Sequence, residues 1–150
     1  MARYGKIYAG PTTEPLPQVQ EAPAASGGIL PGTFITVGAT AAYATTDVHG
    51  KIYVAQDNYL TLSGVDTAYA EGETTIGMEL LDNQFFNVRV PTGVNVTRGA
   101  AITIGASGKA KLAAAEDFVI AHAEEAYNNT SGSDQLVRVR AAKGYYLPAA

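Results

Sequence analysis

Histidine, the side chain most often used as a general acid or base, is rare in this sequence, and its two copies lie far apart. The only two histidines are His49 and His122. His49 lies in a Thr-Thr-Asp-Val-His-Gly segment that predicts a turn before a strand, and His122 lies near Glu124 and Glu125. A catalytic or metal-binding pair requires such side chains to meet in space, and nothing in the spacing requires these two to do so. We therefore predict that neither histidine is catalytic.

Two further segments match ligand sites only in part. Glu71 and Glu73, with Asp66 nearby, offer oxygen ligands but lack the regular acid spacing of a calcium loop. Residues 105–109 are glycine-rich, but alanine follows Lys109 where a phosphate loop has serine or threonine. The absence of cysteine excludes disulfides, thiol catalysis and cysteine zinc sites. We expect a solvated turn and a hairpin turn at these segments, and no catalytic residue, metal or cofactor.

Composition limits the classes of protein to which this chain belongs. Charged residues make up 16% of the sequence, glycine occurs 16 times, and the net charge is -4. The 10 lysines and arginines are scattered, which is not the basic patch of a nucleic-acid-binding protein. The uncharged stretch at residues 22–46 is interrupted by prolines and glycines, so it does not read as a membrane-spanning helix. We expect no direct contact with nucleic acid or membrane.

The pattern from residue 33 onward is typical of short strands joined by turns rich in Gly, Asp and Asn. It predicts strands at residues 33–37, 51–54, 59–62, 74–78, 85–90, 101–104, 109–112, 118–121 and 136–140. Residues 113–127 also contain good helix formers, and propensity favours a helix there. We predict a strand instead, because Phe118, Ile120 and His122 alternate. The predicted fold class is all-β, a small β-barrel or β-tulip-like domain.

Two similar series of strands within this domain indicate an internal duplication. Residues 32–39 and 99–106 share the pattern G-x-x-I-T-[V/I]-G-A, which pairs Ile35 with Ile102 and Gly38 with Gly105. Further matches pair residues 50–51 with 108–109, and residues 88–90 with 137–139. We predict two equivalent halves, at about residues 32–93 and 94–150. Both isoleucines should then lie in the core, and both glycines in the same turn.

Residues 1–31 have a different composition, and we assign them to an N-terminal arm outside a β domain of residues 32–150. Proline removes backbone donors and favours extended geometry in the residue before it, and five prolines occur in this segment, at positions 11, 15, 17, 23 and 31. We predict an extended arm that orders against a partner; a disordered tail is the alternative. The expected apolar anchors are Tyr4, Ile7, Tyr8, Leu16 and Val19.

An ordered series in the second half resembles the capsid cement, or head decoration, proteins of tailed bacteriophages. The series runs from Arg98-Gly99 through Gly108-Lys109 and Phe118-Val119-Ile120-Ala121 to a polar loop and Leu136-Val137-Arg138-Val139-Arg140. Ala100 stands where the family commonly has an acid, and Ala121 where it usually has glycine. The resemblance covers roughly residues 32–144 and does not include the arm.

The resemblance implies a β domain docked on the outer surface of an assembled icosahedral shell. The implied partners are the major capsid protein and neighbouring copies of the chain, with a homotrimer as the expected assembly. The implied protein is a structural one and not an enzyme, made in the host cytoplasm and located on the virion. Two other classes stay open: a tail or spike module that binds a host glycan through exposed tyrosines, and a small β-barrel hydrolase.

Overall fold

The computed structural model describes residues 16, 18–46 and 50–150. The strands are β1 Val19–Pro23, β2 Phe34–Val37, β3 Ala41–Tyr43, β4 Tyr53–Ala55, β5 Thr74–Glu79, β6 Phe85–Val90, β7 Asn95–Val96, β8 Ala101–Ile104, β9 Ala110–Leu112, β10 Phe118–Ala123, β11 Tyr127–Asn128 and β12 Gln135–Tyr146. A 3-10 turn, Ala106–Gly108, connects β8 and β9. No helix among the described residues is long and apolar enough to cross a membrane.

The strands form two five-stranded sheets, one from each half of the chain. Sheet 1 has the order β1-β5-β4-β2-β3, and sheet 2 has the order β6-β12-β10-β8-β9. The pairing within both sheets is antiparallel. The prediction of an all-β fold is confirmed. Both sheets end in edge strands within the described residues, so neither closes into the predicted barrel.

Sheet 1 is buried on both faces because apolar side chains follow one another along its strands. Phe34 and Val54 belong to a large apolar cluster shared with sheet 2. Their neighbours Ile35, Tyr53 and Ala55 point the other way, into a smaller cluster covered by Ile29 and Tyr69. Successive side chains of a strand lie on opposite faces, so a strand with apolar residues at consecutive positions needs cover on both sides. Sheet 2 and the loop regions of the first half supply it.

The two sheets have the same topology, which supports the predicted duplication. Strands at the same place in the two orders are counterparts: β1 and β6, β5 and β12, β4 and β10, β2 and β8, and β3 and β9. Gly32 and Gly99, which precede β2 and β8, have positive φ angles of 82° and 84°. The Gly32 amide donates to the carbonyl of Ala55, and the Gly99 amide donates to that of Ala123, at 2.8 and 2.7 Å.

The predicted equivalences are correct only near these first strands. Ile35 and Ile102 occupy matching positions and are both fully buried, and Gly38 and Gly105 follow matching strands. By contrast, Gly108 precedes β9, the counterpart of β3, whereas Gly50 precedes β4. Residues 88–90 and 137–139 lie on adjacent paired strands of one sheet and are not counterparts. The halves divide between β5 and β6, and not near residue 93.

Three local predictions have different outcomes. The strand predicted within residues 113–127 is present as β10. Residues 59–62 form turns and not a strand, because no neighbouring strand is there to pair with them. The arm was predicted to extend to residue 31, but residues 19–23 form β1, which pairs with β5. Ala22, Ala24 and Ile29 are buried in the core, so this part of the segment belongs to sheet 1.

Candidate functional site

The anchors predicted on the arm fall partly outside the described residues. Tyr4, Ile7 and Tyr8 lie there, as does His49. Leu16 is 84% exposed, and Val19 begins β1 opposite Met78 with its side chain largely exposed. Two of the predicted anchors are therefore available to a partner, and neither contributes to the core.

His122 lies on sheet 2 against a tyrosine. Its Nε2 atom is 2.8 Å from the hydroxyl oxygen of Tyr145, and the two rings stack at 5.9 Å between centroids. Glu124, two residues further along, forms ion pairs with Arg140 at 3.1 Å and with Arg98 at 3.9 Å. This histidine is thus part of an aromatic and charged surface.

That surface is one face of sheet 2, and we call it the outer face. It is defined by Phe85, His122, Arg138, Arg140 and Tyr145. The guanidinium of Arg140 lies 4.7 Å from the centre of the Phe85 ring. Phe85 and Tyr145 are exposed although both are large and apolar. Arginine and aromatic residues are enriched in the energetically important parts of protein interfaces, and here they lie together with no layer over them in the part of the chain that the structure describes.

Two of the three acidic residues considered as cation ligands, Glu73 and Asp66, have other partners. Glu73 accepts hydrogen bonds from the Asn58 amide group at 2.7 Å and from the Ala70 backbone N–H at 2.9 Å. Asp66 pairs with Arg89 at 2.9 Å. Among the described residues, no group of three or more histidine, aspartate or glutamate side chains is placed to hold a metal ion.

Glu73 and Asp66 instead hold a loop of residues 56–68, which we call the apolar loop. Leu60 is 66% exposed and Leu62 is 92% exposed, and Tyr59 and Val65 are also exposed. Leu62 has a positive φ of 58°, a conformation that costs a non-glycine residue energy. In the first half, residues 56–68 lie between β4 and Tyr69, which bridges to Ile29, whereas in the second half residues 124–126 alone lie between β10 and the corresponding Tyr127 of β11. The fold therefore does not require the length of the apolar loop.

Arg89 fastens the apolar loop to the domain from below. It lies on β6 and is 3% exposed. Its Nε donates to the Pro31 carbonyl at 2.7 Å, and its Nη2 donates to the Val65 carbonyl and to Asp66. A planar guanidinium has five donors in a fixed geometry, which suits a group that must satisfy several acceptors at once. The loop is thus exposed at its tip and fixed at its base.

A concave surface lies at the β9 edge of sheet 2, and we call it the groove. It encloses about 680 Å³, with a mostly apolar lining that includes Val94, Ala106, Ala110 and Leu112. Lys109 and Lys111 are also in the lining. They form ion pairs with Asp134 at 2.7 Å and Asp117 at 3.1 Å. The Ala114 N–H, and next the Lys111 ammonium, hold the pKa of Asp117 below its usual value.

Sequence reasoning missed Arg89 and the apolar loop. Alternating apolar residues at positions 59–62 matched a strand pattern, and Arg89 was placed only within the predicted strand at residues 85–90. The sequence carries no local signal for the burial of Arg89, because Val88 and Val90 beside it point to the opposite face of β6. The polar loop before Leu136 also contains a buried residue: Asn129, whose amide donates to the Val90 carbonyl at 3.0 Å.

No protein-family model matches the sequence, and comparison with curated proteins found no match.

Proposed function

We propose that this protein is a structural virion protein that binds the outside of an icosahedral phage capsid and stabilises it. The support is the resemblance of the second half to cement proteins, together with the character of the outer face. The segments that carry the resemblance fall on strands β8, β9, β10 and β12 and their connections, all within sheet 2. The motifs that carry the resemblance therefore lie in one structural unit, although the resemblance as a whole extends over roughly residues 32–144.

The observation that carries the proposal is the uncovered outer face of sheet 2. His122 pairs with Ala101 of β8, and the counterpart of this pair in sheet 1 is Val54 with Phe34 of β2. Val54 is buried against sheet 2. Among the described residues, no third sheet lies against the outer face of sheet 2. Pro31 and the apolar loop cover this side of β6 at Arg89, and beyond them Tyr145, Phe85 and two arginines are exposed. We propose that the major capsid protein covers this face. Tyrosine and arginine suit such a contact because each combines a large apolar body with hydrogen-bond donors.

Stabilisation would follow from many copies acting on one shell. A rigid domain that loses little conformational entropy on docking retains more of its contact energy as affinity. Copies that also contact one another, as in the expected homotrimer, bind with an effective concentration far above that in solution. The proposed role requires no catalytic residue, cofactor or nucleic-acid contact, and it places the protein on the virion surface.

The test is binding of the purified protein to expanded and unexpanded capsids, measured by co-sedimentation. We expect binding to expanded capsids, and later DNA release from decorated particles on heating. Tyr145→Ala with Arg140→Ala should weaken the binding at least tenfold. Lys143→Ala is the matched control, because Lys143 lies on the same strand with an exposed side chain. Equal binding by the double variant and the wild type would exclude the outer face as the docking surface.

A second candidate is a tail or spike module that binds a host glycan, and the stacked rings of His122 and Tyr145 favour it. Exposed aromatic rings pack against the apolar faces of sugars, and Tyr145 is 40% exposed. Calorimetric titration with host-surface glycans distinguishes the two functions. If the wild type binds a glycan saturably and does not bind capsids, and if Tyr145→Ala abolishes the glycan binding, the glycan-binding function replaces the capsid proposal.

A further inference from the structure

The apolar loop presents leucine side chains that the protein itself leaves uncovered. Tyr59, Leu60, Leu62 and Val65 are exposed on a segment whose base is held by Arg89, Asn58 and Glu73. Exposing leucine to water forgoes the roughly 1.5–3 kcal/mol that burial of such a side chain supplies. A loop that is longer than the duplicated fold requires, and ordered by a buried arginine, is suited to insertion into a partner.

The groove offers an apolar recess of a matching kind on the same molecule. Its volume of about 680 Å³ is within the range of roughly 300–1,000 Å³ in which proteins hold compact ligands. Leu112 is exposed at its edge, and β9 is the outermost strand of sheet 2. The groove therefore combines apolar side chains with an unpaired strand edge.

Charge distinguishes the surroundings of the two features. The segment that contains the apolar loop, residues 52–82, has six acidic side chains and no basic one: Asp57, Asp66, Glu71, Glu73, Glu79 and Asp82. The lining of the groove has two basic side chains, Lys109 and Lys111, and no acidic one. Each lysine pairs with one carboxylate, of Asp134 or Asp117, but a lysine ammonium has three donors. Carboxylates beside the apolar loop can therefore still pair with these lysines, and such pairing fixes the orientation of two surfaces.

We propose that the apolar loop of one copy of this chain inserts into the groove of a second copy. Tyr59, Leu60 and Leu62 would enter the recess lined by Val94, Ala106 and Leu112, while Asp57 and Asp66 approach Lys109 and Lys111. The two surfaces differ, so the contact is heterologous: each copy uses its loop toward one neighbour and its groove toward the other. Such contacts close into rings when the rotation between copies allows it.

This inference deepens the proposed function, since it names the surfaces through which neighbouring copies would meet. It does not depend on a capsid and is tested on the free protein. The measurement is molecular mass by analytical ultracentrifugation over a range of protein concentrations. We expect the wild type to self-associate. Leu60→Ser with Leu62→Ser should be monomeric, and so should Leu112→Asp with Lys111→Glu. Leu16→Ser, which alters an exposed leucine outside both surfaces, should behave as the wild type.

Mixing the two defective proteins provides the decisive result. A copy with a defective loop retains its groove, and a copy with a defective groove retains its loop. One intact contact is therefore possible, and the mixture should form a one-to-one dimer that does not grow further. Circular dichroism and thermal melting of each variant establish that both are folded.

Three results would overturn the proposal. The first is a monomeric wild type at 100 times the concentrations used for capsid binding. The second is self-association of either double variant at wild-type strength, and the third is a mixture that stays monomeric. If the loop variant keeps the wild-type oligomeric state and loses capsid binding, the occupant of the loop is the capsid protein. Failure of capsid binding alone, with self-association intact, would count against the proposed function and not against this contact.

Discussion

The main chains of Ile29 and Tyr69 exchange two hydrogen bonds, at 3.1 and 2.8 Å. Both side chains are fully buried, and the Tyr69 hydroxyl also donates to the Gln56 carbonyl at 2.9 Å. Val96 and Tyr127 form the corresponding pair in the second half, on strands β7 and β11. Tyr127 is exposed, however. The same kind of backbone pairing thus joins two loops in each half, but only in the first half is the tyrosine side chain buried in a core.

Replacement of Tyr69 should change how stability depends on alkaline pH. Burial raises the pKa of Tyr69 to about 12, against about 10 in an unfolded chain. The folded state thus holds this proton more tightly, so the contribution is complete below about pH 10 and is lost as the pH rises toward about 12. Tyr69→Phe should reduce this loss, and at neutral pH it should cost about 1 kcal/mol for the hydrogen bond to Gln56. Urea unfolding at several pH values measures both effects, with Tyr127→Phe as the control.

Gly108→Ala should destabilise the packing of the two sheets. Gly108 has a positive φ of 66°, and a Cβ atom there would overlap the carbonyl oxygen of Phe34 in sheet 1. We expect a loss of at least about 2 kcal/mol in the free energy of unfolding. Gly38→Ala is the matched control, since no atom lies within 4 Å of its added Cβ. Equal melting temperatures for the two variants would contradict this account of Gly108.

Arg89→Met should release the base of the apolar loop. The substitution keeps much of the buried side chain but leaves the Pro31 and Val65 carbonyls without their donor, at a cost of about 1–3 kcal/mol each when such groups stay buried. Hydrogen exchange in residues 57–66 should accelerate more than in β8 or β12. Arg98→Met removes a largely exposed arginine and should leave exchange in the loop unchanged.

Ile35→Ala and Ile102→Ala test the duplication at equivalent positions. Both side chains are buried, Ile35 in the smaller cluster and Ile102 in the larger one. Each replacement should cost about 2–5 kcal/mol in the free energy of unfolding, as measured by urea denaturation. A cost well under 1 kcal/mol at either position would show that the corresponding site is not tightly packed.

The sequence predicted the strands whose signal is local. A glycine turn followed by alternating β-branched residues defines β2 and β8, and it was enough to place Ile35 and Ile102 in the core. The local pattern did not define which strands pair. Strand β1 pairs with β5, although β2, β3 and β4 lie between them in the sequence, and the five residues of β1 carry no motif that indicates this partner. The misassignment of residues 88–90 to a repeat of 137–139 has the same origin: paired neighbours in one sheet share an apolar alternation.

The candidate surfaces were less predictable than the strands. Leu60 and Leu62 alternate as in a strand, and only the absence of a pairing partner shows that they face solvent. Arg89 acts through contacts with residues far away in the sequence, including Pro31 and Asp66, which no local motif encodes. The outer face likewise requires knowledge that His122, Arg140 and Phe85 lie on three neighbouring strands.

The contiguity of each sheet in the sequence has a consequence for how the chain can be divided. Among the described strands, the chain passes from one five-stranded sheet to the other only once, at residues 80–84 between β5 and β6. Asp82 and Asn83 are exposed there. A cut between them leaves two fragments that each contain every strand of one sheet, while the apolar cluster around Phe34 and Val54 still requires both. The two fragments should therefore reassemble without a covalent link, as a split protein. Mixing them should restore the apolar cluster between the sheets, which neither fragment forms alone.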